Sequence, residues 1–307
     1  MAYSLRSKRA NDVKYQRKRR VTAKAMGLAR KSAHESLAPI TAVAARSRFG
    51  ARCHLPALDG PVIVTSDAHY WRGAPSLAHR AAVHLAKELR AWAVINNGDS
   101  LDGSSISRYE PSSYLNVRNR LSVEEELAVN VAHLSDFEKM DFVRFRTWNM
   151  GNHDARFETL LATKVPQYAG VHGFHLKDHF PSWLPAWATW IGDDVIVKHR
   201  MKGGTYAAAN NTVSAGRSIV TGHDHQLWVK AFTDYNGTRF GIDAGTLQDV
   251  WGEPFLDYTE DNAVNWQSGF AILHFEGGRF TGPELVYAMP DGRVLFRGTD
   301  ISKRIGK

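Results

Sequence analysis

Asp67 and His69 stand two positions apart directly after the apolar run "PVIVTS" (61–66), and four similar clusters recur along the chain. Gly98-Asp99 follows "AVINN" (93–97), and Gly151-Asn152-His153-Asp154 follows "FVRFRTWNM" (142–150). His199 follows "DDVIVK" (193–198), and Gly222-His223-Asp224-His225 follows "RSIVT" (217–221). Gly, Asn and Asp suit an ordinary turn, but no turn requires a histidine. The five clusters offer Asp67, Asp99, Asn152, His69, His199, His223 and His225 as metal ligands, with His153 in reserve. Mixed imidazole and carboxylate donors suit zinc, iron or manganese, whereas all-oxygen sets suit magnesium or calcium. Seven donors exceed what one tetrahedral ion takes. Two ions sharing a bridging carboxylate would use them all, and such a pair can clamp a phosphoryl group and activate a water for in-line attack. One Asp-X-His is common by chance, and His79, His84, His133, His172 and His175 stand outside any such motif. The recurrence after five apolar runs carries the signal.

These residues need a scaffold that brings strand ends together. The runs 61–66, 93–97 and 142–150 read as strands, and "SLAHRAAVHLAKELRAW" (76–92) and "SVEEELAVNVAHLSDFEKM" (122–140) read as helices between them. Ser122 and Glu125 form a capping-box pattern at the start of the second helix. A β-α-β-α-β order implies right-handed crossovers and a layered α/β fold, whose ligands bind beyond the carboxyl ends of the strands. If the chain is extended after its strand, residues i and i+2 face one side, so Asp67 and His69 would converge, as would His223 and His225. Further strands are expected at 193–198, 217–220, 226–233, 238–243, 269–275 and 279–288, with hairpin turns at "YNG" and "EGG".

The series Asp-X-His, Gly-Asp, Gly-Asn-His-Asp, a strand-end His and Gly-His-X-His, in this order over residues 67–225, resembles that of the calcineurin-like metallophosphoesterases, of the kind found in bacterial and phage genomes. The resemblance implies a four-layer α/β/β/α sandwich with two mixed β-sheets flanked by helices. It implies that Asp67, His69 and His225 hold one metal, that Asn152, His199 and His223 hold the other, and that Asp99 bridges them. His153 would face the substrate as a charge stabiliser or proton donor, oriented by Asp154. The cofactor set is two divalent ions, manganese first, with zinc, iron or magnesium as alternatives. Many relatives carry Gly where Arg200 follows His199. Arg156 and Arg200, like Arg108 and Lys202, lie near motif residues and could meet phosphate oxygens. Asp102 and the run Asp243–Thr246 are placed to orient ligands from behind.

The chain has 307 residues, one cysteine (Cys53) and a net charge of +8. That length supports a sizeable core. The lone cysteine excludes an intramolecular disulfide framework and fits a reducing, cytoplasmic compartment. No apolar run reaches the roughly 18–20 residues that span a bilayer, so no membrane association is expected. Residues 1–35 hold 11 Lys/Arg against Asp12 and Glu35, while the remaining 28 basic and 29 acidic residues nearly cancel. The basicity is therefore an arm, which would attract a polyanion. The expected organisation is a basic, helical appendage over 1–55, a catalytic domain over 56–290 and a tail over 291–307. The function expected is metal-dependent hydrolysis of phosphodiesters in nucleic acid or nucleotides. Phosphomonoester hydrolysis is the alternative, and a non-catalytic nucleic-acid-binding protein ranks third. The aromatic segment "HFPSWLPAWATW" (179–190) reads as a buried plug rather than a substrate-facing cap.

Overall fold

Alternation of inward and outward side chains builds two sheets in the computed structural model, which describes residues 51–108, 120–252, 259 and 262–306. Residues 1–50 of the basic arm lie outside the described residues. The strands are β1 (Cys53–Leu55), β2 (Gly60–Thr65), β3 (Ala93–Asn96), β4 (Phe145–Asn149), β5 (Leu184–Ala186), β6 (Thr189–Ile191) and β7 (Val195–Val197). They continue with β8 (Ser218–Thr221), β9 (Leu227–Asp234), β10 (Gly237–Ala244), β11 (Gly269–Glu276), β12 (Arg279–Ala288), β13 (Val294–Phe296) and β14 (Thr299–Asp300). The α-helices are α1 (Leu77–Glu88), α2 (Val123–Glu138), α3 (Asp154–Lys164), α4 (Leu176–His179) and α5 (Ala207–Ala215).

An eight-stranded sheet runs β14-β13-β12-β11-β2-β3-β4-β5, and a six-stranded sheet runs β1-β6-β7-β8-β10-β9. Both are mixed. β2, β3, β4 and β5 pair in parallel, and so do β7 with β8 and β8 with β10. Val62 and Val64 of β2 meet Val195, Val197, Val220, Ile242, Ala271 and Leu273 in one apolar cluster between the sheets. The alternate residue Ile63, with Phe270 and Ile272, packs instead under α1 and α2 against Ala78, Ala82, Leu85, Leu134 and Phe137. On the far side Ile196 and Ile219 pack with Ala215 of α5. The order helix, sheet, sheet, helix is the four-layer sandwich expected. Each fully buried branched side chain stabilises it by about 1.5–3 kcal/mol.

The capping box of α2 is present, with Glu125 N–H donating to Ser122 Oγ at 3.2 Å and Ser122 N–H to Glu125 Oε2 at 2.8 Å. Strands also occupy stretches that the sequence placed in the appendage and the tail. β1 pairs with β6, and β13 and β14 extend the large sheet. Strands of two or three residues are too short to display alternation. The aromatic segment 179–190 supplies β5 and β6. Trp183 is buried and donates to Glu138 Oε1 at 2.8 Å, while Trp187 is exposed.

Candidate metal centre

The loops after β2, β3, β4, β7 and β8 gather at one end of the sandwich because these strands are parallel neighbours within each sheet. The ladder continues past the strands: Asp67 N–H donates to Gly98 O and His69 N–H to Asp99 O, both at 2.9 Å. Two motif glycines then allow the loops to close on one another. A Cβ on Gly151 would lie 2.0 Å from Asp99 Oδ1, and one on Gly222 would lie 1.9 Å from Ser66 Oγ and 2.6 Å from Asp67 Oδ2.

Three clusters of ligand atoms result, each with its atoms within 4.8 Å of one another: Asp67, His69 and His225; Asp99, His199 and His223; and His69, Asp102 and His153. Atoms bonded to one zinc-sized ion stand no more than about 4.4 Å apart, so small adjustments would suffice. Convergence does not come from extended chain, as the sequence suggested. Asp67, His69, Asp99, His223 and His225 adopt φ of +52°, +36°, +50°, +74° and +56°. Each left-handed non-glycine residue costs on the order of 1 kcal/mol, and such strain collects at functional sites. Five of the seven non-glycine residues with positive φ among the described residues are in this one site.

Asp67 and Asp99 are buried to 0% and 1% exposure, a burial that is costly for a charge without compensation. Each accepts one backbone N–H: His223 donates to Asp67 Oδ2 at 2.9 Å, and His153 to Asp99 Oδ1 at 2.7 Å. Their other oxygens face imidazoles, Asp67 Oδ1 at 3.3 Å from His225 Nε2 and Asp99 Oδ2 at 3.1 Å from His199 Nε2. Burial opposes ionisation of Asp67, but His199 and His225 hold its carboxyl down to about 2. Asp99 is likewise held low, against its burial, by His199, His153 and His69. Burial would lower His199, yet Asp99 and Asp67 raise it to about 10. The pocket thus draws positive charge, and a metal ion would compete with these protons for the same atoms. Asn152 Oδ1 is buried without a hydrogen-bond partner, an acceptor whose cost a cation would relieve. The donor types, their burial and this orphaned oxygen fit a pair of divalent ions.

Support from behind is specific. His199 Nδ1 lies 2.7 Å from Asn97 O, which turns Nε2 inward. Thr246 Oγ1 donates to Asp67 O at 2.6 Å, and Gln248 Nε2 bonds His69 O. Asp102 Oδ1 lies 3.3 Å from His69 Nδ1 and 3.7 Å from His153 Nδ1. Burial notwithstanding, hydrogen bonds from His153 and His69 hold its carboxyl well below the usual range. Asp243 lies deeper, bonded by Thr221 and by Trp228 Nε1 at 2.7 Å, and burial raises it to about 6.

Asp154 does not orient His153. Its two oxygens accept from the backbone N–H groups of Asp99, Ser100, Leu101 and Gly151 at 2.8–3.0 Å and from Trp148 Nε1 at 2.9 Å. It therefore shapes the loop that presents Asp99. His153 is held instead by Asp102, whose carbonyl oxygen lies 2.6 Å from Nδ1, and by Arg156, whose Nη2 lies 3.2 Å from Nε2. Arg156 Nη1 also donates to Asp102 O at 2.8 Å. Arg200 is exposed on the loop after His199, as is Lys202, which bonds Ser214 Oγ at 2.6 Å. Half-buried Asn152, His153 and His223 mark the open side of the centre. Sequence reading passed over Asn97, Gln248 and Trp266; the ring of Trp266 lies 4.6 Å from that of His225. Asn97 adjoins Gly98-Asp99 and Gln248 follows the Asp243–Thr246 run, but no sequence signal points to Trp266.

Motif order and the ring of converging donors agree. The chain resembles the calcineurin-like metallophosphoesterases. Two similar proteins are known from mycobacteriophages. The Gene 54 protein of Mycobacterium phage L5 is 28% identical over 167 residues, which are 47% of this chain and 64% of that one, so the match spans less than two thirds of its length. The Gene 54 protein of Mycobacterium phage D29 is 26% identical over 229 residues, 67% of this chain and 86% of that one. The solved metallophosphoesterase from Sphaerobacter thermophilus aligns with 15% identity and a TM-score of 0.39 over 71% of this chain and 84% of that one. No family model matches the chain. No helix among the described residues is long and apolar enough to cross a membrane.

Proposed function

We propose that the chain is a calcineurin-like metallophosphoesterase that hydrolyses phosphodiester bonds of nucleic acid or nucleotides with two divalent ions. The observation that carries this reading is the pair of clusters Asp67/His69/His225 and Asp99/His199/His223 at one end of the sandwich, with Asn152 Oδ1 buried and unpaired beside them. Asp67, His69 and His225 would hold one ion and Asn152, His199 and His223 the other, with Asp99 between. Such ions, when bound, supply Lewis-acid polarisation of a phosphoryl oxygen and an activated water; manganese is the first choice among them.

The chain's own groups do the rest. His153 sits on the open side with Nδ1 against the Asp102 carbonyl, so that its Nε2 faces Arg156 and the mouth of the centre. Burial and the Arg156 charge work against its charge, but Asp102 and Asp99 raise its pKa; donation to a leaving oxygen from Nε2 would require that nitrogen to leave Arg156 Nη2, which it faces at 3.2 Å. Arg156, and Arg200 from the loop after β7, would bind non-bridging phosphate oxygens. Asp154 keeps the Asp99 loop closed. The excess of basic residues in 1–35 favours a polyanionic substrate.

The test is hydrolysis of end-labelled single- and double-stranded DNA by metal-depleted protein refilled with manganese, with Asp99→Asn beside it. Cleavage that needs Asp99 is expected. If the intact protein splits p-nitrophenyl phosphate but neither DNA nor a generic diester, the phosphomonoesterase alternative replaces this reading.

A further inference from the structure

One buried polar group has no part in the chemistry proposed so far. Tyr70 Oη lies 2.8 Å from His79 Nδ1, and His79 Nε2 lies 3.5 Å from Asp136 Oδ2. Tyr70 directly follows His69, while His79 belongs to α1 and Asp136 to α2. Tyr70 is 5% exposed and His79 0%. The ring of His133, also from α2, packs on both, its centroid 4.9 Å from Tyr70 and 5.7 Å from His79. Contact with His79 first, and with Lys139, holds the Asp136 carboxyl down to about 2 against its burial. A carboxylate only accepts, so His79 Nε2 carries a proton, and in the neutral ring Nδ1 accepts from the Tyr70 hydroxyl. Tyr70 lies in the same apolar cluster as Ala82, Leu85 and Phe137, where a hydroxyl is costly unless paired. Two apolar side chains would fill this space without that cost.

The pair closes a hydrogen-bonded ring through His69. Gln248 Nε2 donates to His69 O, and its neighbour Leu247 accepts the Ser76 hydroxyl on its carbonyl oxygen. Ser76 is the N-cap of α1, and its Oγ accepts from His79 N–H at 3.1 Å. His79 Nδ1 then returns the circuit to Tyr70, bonded in sequence to His69. Backbone bonds seat the same stretch on the loop after β3: His69 N–H donates to Asp99 O at 2.9 Å and Tyr70 N–H to Ser100 O at 3.0 Å. His69 has φ of +36°, a conformation that persists only where its surroundings over-determine it. The ring supplies that determination.

We propose that Tyr70 and His79 are positioning residues for the first metal ion, their hydrogen bond locking the His69 loop in the conformation that brings its imidazole to Asp67 and His225. This deepens the preceding reading and rests on it. Hydrogen bonds behind a ligand fix its orientation, and their removal costs about 10–100-fold in metal affinity. None of the ring residues belongs to the cluster Asp99, His199 and His223, so the second ion should not register their loss.

The experiment is calorimetric titration of metal-depleted, full-length protein with manganese, with thermal melts of the metal-free preparations alongside. Tyr70→Phe removes only the hydroxyl, Tyr70→Phe/His79→Leu removes both partners, and His225→Ala marks which binding event belongs to the first ion. Tyr70→Phe should weaken that event about tenfold or more and leave the other unchanged. It should also lower the metal-free melting temperature, because His79 Nδ1 loses its buried donor. The double variant should regain most of that melting temperature, since neither partner is left unpaired, yet keep the weakened event. His79→Asn, which retains an acceptor near the place of Nδ1, should bind the first ion more tightly than the double variant does. Both ions bound as tightly by Tyr70→Phe as by the parent, both weakened alike, or affinity regained together with melting temperature in the double variant overturns the proposal. No manganese bound by the intact protein overturns this proposal and the metal reading together. Two ions bound, with the expected loss in Tyr70→Phe but no hydrolysis of bis(p-nitrophenyl) phosphate by the parent, counts against the phosphoesterase reading and leaves the positioning role standing.

Discussion

At the scale of single residues, the centre divides into groups that would hold ions and groups that would handle protons. Asp99 is buried beside His199 and His223, whereas His153 touches it only through its backbone N–H at 2.7 Å and a 3.9 Å ring contact. His153→Ala should therefore leave bound manganese unchanged while lowering turnover about 10²–10⁴-fold. Elemental analysis paired with a diester assay checks this, and an emptied centre would show that His153 is a ligand. The motif residues were legible because ligand chemistry limits which side chains can serve. The role of Asp154 was not. An aspartate next to a histidine suggests a dyad, but Asp154 begins α3 and its carboxylate turns back to accept four backbone N–H groups. Sequence adjacency does not reveal which way a side chain turns. Convergence of Asp67 with His69 was also foreseen for the wrong reason, since both adopt left-handed backbone and not extended chain.

At the scale of elements, the loop between β3 and α2 carries Asp99 and Asp102, and α2 reaches up to hold it. Glu126 of α2 accepts from Gly103 N–H at 2.8 Å while being only 2% exposed. Burial first, with help from the Asp102 charge, raises its carboxyl to about 7 from an ordinary 4.5. A folded-state pKa above the unfolded one means that its contribution to stability is whole below about pH 4.5 and is lost as pH rises through about 7. Glu126→Gln keeps an acceptor for Gly103 and removes the titration. Its melting temperature should match the parent's at pH 4.5 and exceed it at pH 8, by an amount equivalent to about 1–3 kcal/mol. Thermal melts at the two pH values decide, and equal melting temperatures at both would contradict the buried-carboxylate argument. Long strands and the capped helix α2 were readable from periodicity. α5 was not, because its buried residues are the small or polar Ala207, Ala208, Asn211 and Thr212; it packs so closely that a Cβ on Gly241 would lie 1.8 Å from Ala208 O. Small residues chosen for close approach leave no hydrophobic stripe to read.

At the scale of the whole molecule, charge is segregated along the chain: the excess of Lys/Arg lies in residues 1–35 and the remainder nearly balances. If the arm tethers a polyanion, deleting residues 1–50 should weaken DNA binding and flatten its dependence on salt, with hydrolysis of a small diester unchanged. Binding isotherms at several salt concentrations measure this, and an unaltered slope would remove the arm from substrate binding. A layered α/β fold could be foreseen from the β-α-β order, and the four-layer sandwich from the resemblance that the motif series carries. The strand order could not, because β1 and β6 pair across 136 positions of chain, Cys53 with Thr189, with nothing local to announce it. Within that sheet the parallel pairing of β7 with β8 sets the loops bearing His199 and His223 side by side, where both meet Asp99, which links the architecture to the proposed chemistry.

That link is tested most directly by counting ions. Equilibrium dialysis of metal-depleted protein against manganese should give two equivalents per chain for the intact protein and markedly fewer for Asp99→Asn, since one carboxylate would serve both ions. Fewer than two equivalents in the intact protein, or two retained without Asp99, would contradict a dinuclear centre at the ends of these strands.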